Sequence, residues 1–493
     1  MPRRLRVLYL ASEADPLAKT GGLADVAAAL PRALAGMGHD VRVLMPRYRG
    51  AEAQAGEVRT VVPRLPVPIG DRVVEGALHE GRAPSGVPVY LLAQDHYYDR
   101  DGVYGTGEGD YWDNCERFTF FCRGTLEGLG RLGDDAGWRP QVIHANDWQT
   151  GLVPVYLRTL YRDHPWLGRV PTLFTIHNLA YQGVFWHYDM PMTGLGWDLF
   201  TPAGLEFYGR INFLKGGLVF SDLLTTVSRT YAREIRTAAF GQGLEGVLEE
   251  RSHDLHGVVN GLDYEVWNPG KDPAIAQLYS ADEPEGKAAC REALRAELGL
   301  APGPGPVLGM VTRLAEQKGL ELVLDGLERV LAQGCRLVLL GSGDAGTEAA
   351  VTQAAARHPD RVAVRIGYDA DLARRIYAGS DGFLMPSRYE PCGLGQLIAL
   401  RYGTIPIVRR TGGLADTVVE FDPARRTGTG FIFDAFTADA LVETVRLVVS
   451  AYSQPAVWRA LVRNAMGQDF SWEASAREYV TLYGKALRAR GAA

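Results

Sequence analysis

The chain has few cysteines and no close pair of them. Its five, Cys115, Cys122, Cys290, Cys335 and Cys392, are scattered along 493 residues. Without a CxxC spacing, neither a structural zinc site nor a disulfide framework is expected. Reducing surroundings suit that usage, so the expected location is the cytoplasm. Long apolar runs are also missing, and none approaches the ~18 residues of a spanning helix. The N-terminal run Val7–Leu10 is too short for a signal segment, and Glu13 and Asp15 follow it at once, so a soluble protein is expected. Positive charge is not in excess: 52 Lys and Arg against 58 Asp and Glu leave −6. Nucleic acid and anionic membranes both recruit clustered cations, so neither is expected as a partner. HExxH, Walker A and G-x-S-x-G sequences are absent too, which sets aside zincin, P-loop and serine-hydrolase chemistry. No metal and no cofactor are expected.

What is present reads as an ordinary globular chain, 46% hydrophobic and 22% charged, and long enough for two or three domains. Arg6–Leu10 reads as a buried strand, Lys19–Gly22 as a glycine loop, Leu23–Met37 as a helix and Val41–Met45 as the next strand. That order is a βαβ unit of an open parallel sheet. Apolar strands ending in polar residues recur at Gln141–His144, Thr172–His177 and Leu223–Val227. A second series begins after Val258-Val259-Asn260-Gly261, with strands at Val307–Val311, Arg336–Leu340, Val362–Ile366, Gly382–Met385 and Ile405–Val408. The domain boundary is expected near 262–275, and the fold class is α/β.

One hexapeptide, Thr-Gly-Gly-Leu-Ala-Asp, occurs at Thr20–Asp25 and again at Thr411–Asp416, each time after a basic residue and before a helix. A shared local geometry is expected: paired glycines admit close backbone approach, and helix N-termini attract anions. Two ordinary Gly-rich helix entries would read the same way.

Four clusters carry chemistry. Arg313 and Lys318 lie just beyond a strand, where two fixed cations can stabilise a departing pyrophosphate without a metal; a solvated loop is the plainer alternative. In Arg388-Tyr389-Glu390-Pro391-Cys392-Gly393-Leu394-Gly395, a carboxylate stands at a strand edge. It can hold sugar hydroxyls or face an oxocarbenium ion, and Gly393 and Gly395 open backbone N–H groups to phosphate. Cys392 also reads as a small packing residue. His177-Asn178 and His144-Ala145-Asn146-Asp147-Trp148 end two strands, offering hydroxyl partners and, in Trp148, a flat apolar face for a pyranose. A lone histidine at such a place is more often a satisfied core group; the clustering favours a site.

Lys19-Thr20-Gly21-Gly22-Leu23, His177-Asn178, Arg313 with Lys318, and Glu390-Pro391-Cys392-Gly393-Leu394 together resemble the ordered motif set of bacterial glycogen synthases and plant starch synthases. Val259-Asn260-Gly261-Leu262-Asp263 and Trp267-Asn268-Pro269 resemble that family's linker, and the match runs from Val7 to about Tyr483.

The resemblance implies two Rossmann-like domains facing a deep cleft, of the GT-B type. Residues 1–262 would form the acceptor side, 263–470 the nucleotide-sugar side, and 471–493 a helix crossing back to the first domain. It implies a retaining transfer of glucose from ADP-glucose to the non-reducing end of an α-1,4-glucan such as glycogen, releasing ADP. By similarity, the catalytic set is Glu390, His177, Arg313, Lys318 and Asp147. Lys19, Gly21, Gly22, Asn178, Asn260, Gln317, Gly341, Tyr368, Cys392, Gly393 and Leu394 would bind the donor, with Tyr368 stacking on its base. Glu13, Asp25, Tyr98 and Trp148 are the expected acceptor or sugar contacts. Two positions depart from the family: Gly395 stands where Thr or another polar residue is frequent, and Gln149 where His is. Alternatives are a relative using UDP-glucose or another acceptor, and a non-catalytic glucan-binding homologue. The intact Lys19, Arg313, Lys318 and Glu390 argue against the latter.

Overall fold

The computed structural model describes residues 4–107, 109–135 and 137–491. They form two compact units. One comprises the described residues within 1–227, 232–261 and 472–493, the other residues 228–231 and 262–471.

The first unit is built on a nine-stranded sheet. Its strands are β1 (Arg6–Leu10), β2 (Asp40–Pro46), β3 (Arg59–Ile69), β4 (Arg72–Arg82), β5 (Pro88–Ala93), β6 (Val142–Asn146), β7 (Thr172–Ile176), β8 (Leu223–Thr226) and β9 (Leu255–Gly257). They lie in the order β9-β8-β7-β6-β1-β2-β5-β4-β3. The central strands are parallel and covered on both faces, so they are apolar throughout rather than alternating: Val7, Leu8, Tyr9 and Leu10 are all fully buried. The far edge differs. β3 and β4 form a long antiparallel hairpin that the βαβ reading leaves unassigned. Pro63, Pro66 and Pro68 lie on β3, whose register with β4 shifts between Thr60 and Leu65. Proline donates no ladder bond and is tolerated there because β3 is an edge strand.

In the second unit, β10 (Val307–Val311), β11 (Arg336–Gly341), β12 (Val362–Ile366), β13 (Gly382–Met385), β14 (Ile405–Arg409) and β15 (Phe431–Phe433) make a six-stranded parallel sheet in the order β12-β11-β10-β13-β14-β15. Its core joins Leu308, Met310, Leu337, Leu339, Phe383 and Ile407 to the helices on either face. In both sheets the chain order reverses beside the first strand, between β1 and β6 and between β10 and β13. Open α/β sheets place ligands outside the carboxyl ends of the strands at such a reversal.

Four of the helices that pack against these sheets are α1 (Gly22–Gly36), α2 (Gly395–Arg401), α3 (Gly412–Thr417) and α4 (Trp472–Ala489). The C-terminal α4 belongs to the first unit. Trp472, Ala476, Tyr479, Tyr483 and Leu487 fall on its buried face at helical spacing. Its Tyr483 hydroxyl meets His144 Nδ1 at 2.8 Å, and Ser475 Oγ donates to the Val259 carbonyl at 2.7 Å.

Candidate active site

β1 runs into Glu13, and Glu13 organises the loop that comes next. Its carboxylate, 3% exposed, accepts from Thr20 Oγ1 at 2.8 Å, Gly21 N at 3.3 Å and the Tyr104 hydroxyl at 2.7 Å, and from Thr20 N at 2.5 Å. The loop so held feeds α1. Gly21 and Gly22 are exposed, and a Cβ on either would meet nothing within 4 Å. Lys19 Nζ lies 2.5 Å from Asp25 Oδ1 on the first turn of the helix. Burial raises the Asp25 carboxyl and Lys19 offsets part of that.

The ends of β6 and β7 meet beside this loop's strand. Asp147 takes a left-handed backbone, φ 56°, rare for a residue with a Cβ. Its Oδ1 then accepts the His177 backbone N–H at 2.7 Å, and the Asn178 N–H also bonds the carboxylate. Burial, the largest cause, pushes the Asp147 carboxyl up to about 7. His177 Nε2 lies 2.9 Å from Asn146 Oδ1, which also accepts from Tyr9 at 3.1 Å. Since Asn146 Nδ2 donates to the Leu10 carbonyl at 2.8 Å, its Oδ1 is the acceptor and His177 Nε2 carries the proton. Burial pulls this imidazole down to about 3, so it is neutral at ordinary pH and turns an unprotonated Nδ1 elsewhere. Asn178 accepts the Ala180 N–H at 3.0 Å. Asn260, 6% exposed, has an Oδ1 with no hydrogen-bond partner, an unusual condition for a buried polar atom and one that a ligand donor would relieve.

Three expectations need correcting in this unit. Tyr98 is fully buried, its hydroxyl donating to the Arg117 carbonyl at 2.8 Å, and so presents no surface to a sugar. Tyr104 is the tyrosine that reaches Glu13, and it does not stand out in the sequence as a site residue. Trp148 offers no open face: it is 9% exposed, edge-on to Phe118 at 4.8 Å and Phe185 at 5.7 Å, with Gly183 against its indole. His144 is a satisfied core histidine, held between Tyr483 and Thr175 Oγ1. Gln149 is buried as well, and its Oε1 has no partner.

In the second unit the end of β10 presents Arg313, exposed and without a carboxylate in ion-pair range among the described residues. Gly319, at φ 68° and too close to the Pro386 carbonyl for any Cβ, turns the chain after Lys318. Lys318 Nζ then reaches Glu390 Oε2 at 2.7 Å, with side chains 16% and 7% exposed. Ser387 Oγ donates to the same Oε2 at 3.1 Å, and Gln317 Nε2 to the Tyr389 carbonyl at 3.2 Å. Among the described residues Glu390 Oε1 has no protein partner, so one carboxylate oxygen is fixed and the other is available. Gly341 closes β11 against the Thr312 carbonyl, where a Cβ would stand at 1.9 Å. Tyr368, beyond β12, is 90% exposed. Cys392 is buried, Leu394 partly so, and Gly393 takes φ 74° ahead of α2. Gly395 opens α2 close to Phe383, Met385 and the Tyr377 hydroxyl, leaving little room for a larger residue.

Both arrangements are strand-end sets rich in hydroxyl-binding and cationic groups. Among the described residues no cluster of three His, Cys, Asp or Glu could hold a metal, and no helix is long and apolar enough to cross a membrane.

Comparison with known proteins agrees across the whole chain. Residues 6–250 match the starch synthase catalytic domain, and residues 291–464 match glycosyl transferases group 1. The glycogen synthase of Syntrophotalea carbinolica is 49% identical over 98% of this chain and 99% of its own. Glycogen synthase 2 of Geobacter sulfurreducens is 48% identical over 99% of this chain and 100% of its own. Among solved structures, the catalytic domain of starch synthase IV from Arabidopsis thaliana, bound to ADP and acarbose, superposes with a TM-score of 0.88 at 34% identity. It covers 98% of this chain and 100% of that one. The sucrose-phosphate synthase of Thermosynechococcus elongatus, at 18% identity and a TM-score of 0.59, shares the fold. The chain therefore belongs to the glycogen and starch synthase family, glucosyltransferase enzymes of the GT-B fold.

Proposed function

We propose that the enzyme transfers glucose from ADP-glucose to the non-reducing end of an α-1,4-glucan with retention of configuration, releasing ADP. The observation that carries the reading is the second unit's set of strand-end groups. An unpaired exposed arginine, a lysine fixed by a buried glutamate and an open tyrosine ring suit a diphosphate, a sugar and a base in turn. The related starch synthase that holds ADP supports the choice of nucleotide.

In this reading Arg313 and Lys318 take the charge that develops on the diphosphate as its bond to the sugar breaks. Lys318 is already held by Glu390, so little reorganisation is needed when that charge appears. Glu390 offers Oε1 to a sugar hydroxyl, and Tyr368 stacks on the base. Gln317, Gly341, Cys392, Gly393 and Leu394 complete the donor side, residues 263–470. On the acceptor side, residues 1–262, His177 serves as a neutral hydrogen-bonding group, oriented by Asn146. Asp147 holds the His177 and Asn178 backbone in place, while Lys19, Gly21, Gly22, Asn178 and Asn260 keep the donor role that resemblance gives them. Asp25 pairs with Lys19.

Retention follows a same-face path. The bond from the anomeric carbon to the phosphate oxygen breaks, the acceptor oxygen bonds to that carbon from the same side, and the acceptor's proton passes to the departing phosphate. Glu390 favours this path because its fixed oxygen is engaged by a lysine and a serine, an arrangement for binding rather than attack. Isolation of a glucosyl ester on Glu390 or Asp147 would establish double displacement instead. The five buried free cysteines fit the cytoplasm.

Incorporation of labelled glucose into a glycogen primer, from ADP-glucose and UDP-glucose in parallel, tests the proposal. Strong transfer from ADP-glucose alone is expected. Preference for UDP-glucose removes the donor assignment, and no transfer from either removes the reaction.

A further inference from the structure

In Arg388-Tyr389-Glu390 the carboxylate belongs to the candidate site, while the arginine engages groups of its own. β10, β13, β14 and β15 are consecutive in the six-stranded sheet, so the segments at their carboxyl ends are neighbours. Gln317 and Lys318 follow β10, Arg388 and Glu390 follow β13, Arg409 closes β14, and Phe436 lies just beyond β15. Arg388 links three of these segments. Its backbone N–H donates to the Gln317 carbonyl at 2.8 Å. Its guanidinium pairs with Glu321 at 3.0 Å and Glu316 at 3.5 Å, the carboxylates that flank Lys318 in sequence. The same group lies over Phe436, 4.2 Å from the ring centre. In return, Gln317 Nε2 donates to the Tyr389 carbonyl at 3.2 Å.

Arg409 braces this arrangement from the next strand. Its Nη1 donates to the Arg388 carbonyl at 2.7 Å and the Ser387 carbonyl at 3.4 Å, and its Nε to the Asp434 carbonyl at 3.2 Å. Its guanidinium also lies over Phe436, at 5.6 Å. Phe436 in turn packs on the turn after Lys318, where a Cβ at Gly319 would stand 3.3 Å from the ring. Ser387, whose carbonyl Arg409 reaches, gives its hydroxyl to Glu390 Oε2. The contacts of one ring and two arginines therefore converge on the segments that carry Lys318 and Glu390.

Such a network does little for folding, because Arg388 and Glu316 are exposed and ion pairs in water contribute little. Its geometry is another matter. A guanidinium plane laid on a ring and forked onto carboxylates fixes direction as well as distance, which an ammonium does not. Charge stabilisation in a transition state depends on groups already held in place. Direct contact of Arg388 with a phosphate is disfavoured, since two carboxylates already neutralise it. We infer that Arg388, seated on Phe436 and braced by Arg409, is a positioning residue that sets the Lys318–Glu390 pair for departure of the diphosphate. The inference rests on the proposed function.

A double-mutant cycle on turnover tests it. Arg388→Ala is expected to lower kcat with ADP-glucose and glycogen about tenfold, leaving KM for ADP-glucose within about twofold and the melting temperature near that of wild type. In the Lys318→Ala background the same change should lower kcat less than about twofold, because the group through which Arg388 acts is gone. Phe436→Ala should give a milder loss of kcat that Phe436→Tyr recovers, whereas Arg388→Lys should not recover the loss of Arg388→Ala. Losses that multiply in the Arg388→Ala/Lys318→Ala double variant overturn the inference, making Arg388 an independent contact. A rise in KM with kcat unchanged overturns it too, giving Arg388 to ground-state donor binding. So does a lowered melting temperature with turnover intact, which leaves the network a role in the fold alone. Lys318→Ala turning over like wild type, or wild type transferring no glucose, would instead remove the proposed function and this inference with it.

Discussion

Thr20–Asp25 and Thr411–Asp416 have the same six residues and both run into a helix beyond a parallel strand, but the fold uses them differently. The first glycine stands at φ −156° in the early copy and +42° in the late one. Gly21 and Gly22 face open space. Gly412 and Gly413 are buried, and a Cβ would come within 1.8 Å of the Glu390 carbonyl at the former and 2.0 Å of the Cys392 carbonyl at the latter. Gly413 N donates to the Glu390 carbonyl at 3.0 Å. In the late copy, then, the glycines back the loop that holds Glu390. In the early copy, Glu13 takes up the N–H groups of Thr20 and Gly21, and the glycines leave room. The aspartates diverge too: Asp25 pairs with the exposed Lys19, whereas Asp416 accepts the Thr230 backbone at 2.9 Å and its hydroxyl at 2.6 Å. A shared geometry, expected from the repeat, holds only for the helix that each copy enters. The packing partner decides the rest.

The sharpest way to break this comparison is to put the same alanine in both copies. Gly412→Ala forces a left-handed backbone and a clash with a carbonyl, and should lower stability by about 3 kcal/mol or more. Gly21→Ala has an extended backbone and free space, and should stay within about 1 kcal/mol of wild type. Thermal unfolding of the two proteins measures the gap; equal melting temperatures would mean that the late copy is not wedged as described.

A loss of comparable size, in turnover rather than stability, is expected from the second unit's two strand-end cations. Arg313→Ala or Lys318→Ala should lower kcat about 100- to 1000-fold, equivalent to ~2.7–4 kcal/mol. Arg313 is exposed, so its variant should melt like wild type. Near-normal turnover in that folded protein would remove the diphosphate assignment.

For the early copy the matching experiment is Glu13→Ala, which leaves Thr20, Gly21 and Tyr104 without their acceptor. We expect KM for the nucleotide sugar to rise about tenfold, with Glu13→Gln recovering part of it, because the amide oxygen can still accept from the loop. If both variants lose kcat and stability together with no change in KM, Glu13 supports the fold rather than the loop.

How much of the fold and site is legible in the sequence depends on what sets each feature. Buried parallel strands such as β10 and β11 are apolar runs bounded by turns, and periodicity finds them. The β3–β4 hairpin is hidden because its prolines argue against a strand until its edge position is known. In the candidate site, Lys19, Arg313, Lys318 and Glu390 sit in motifs that name them. Tyr104 does not: it lies 91 residues from Glu13 in a glycine-rich stretch, and only the fold joins them. Tyr98 lies nearby in sequence and is of the same type, yet its helix turns it inward. Trp148 and His144 carry site-like chemistry, and burial leaves them a packing role.

The smallest expected effect is in pH, at the strand ends of the first unit. Burial raises the Asp147 carboxyl from 3.8 to about 7, so the folded chain keeps a proton that the unfolded chain releases; the stability this gives is present at low pH and lost as pH rises through 7. Burial lowers His177 from 6.5 to about 3, so the unfolded chain takes up a proton that the folded chain refuses; here stability is present above 6.5 and lost as pH falls toward 3. Between about pH 4 and 6.5 the two slopes oppose each other. Asp147→Asn leaves the histidine slope, and its melting temperature relative to wild type should fall by about 1–3 °C on acidification across that window. His177→Asn leaves the carboxyl slope and should shift the opposite way. If both variants track wild type at every pH, neither group is as desolvated as its place at the strand ends implies.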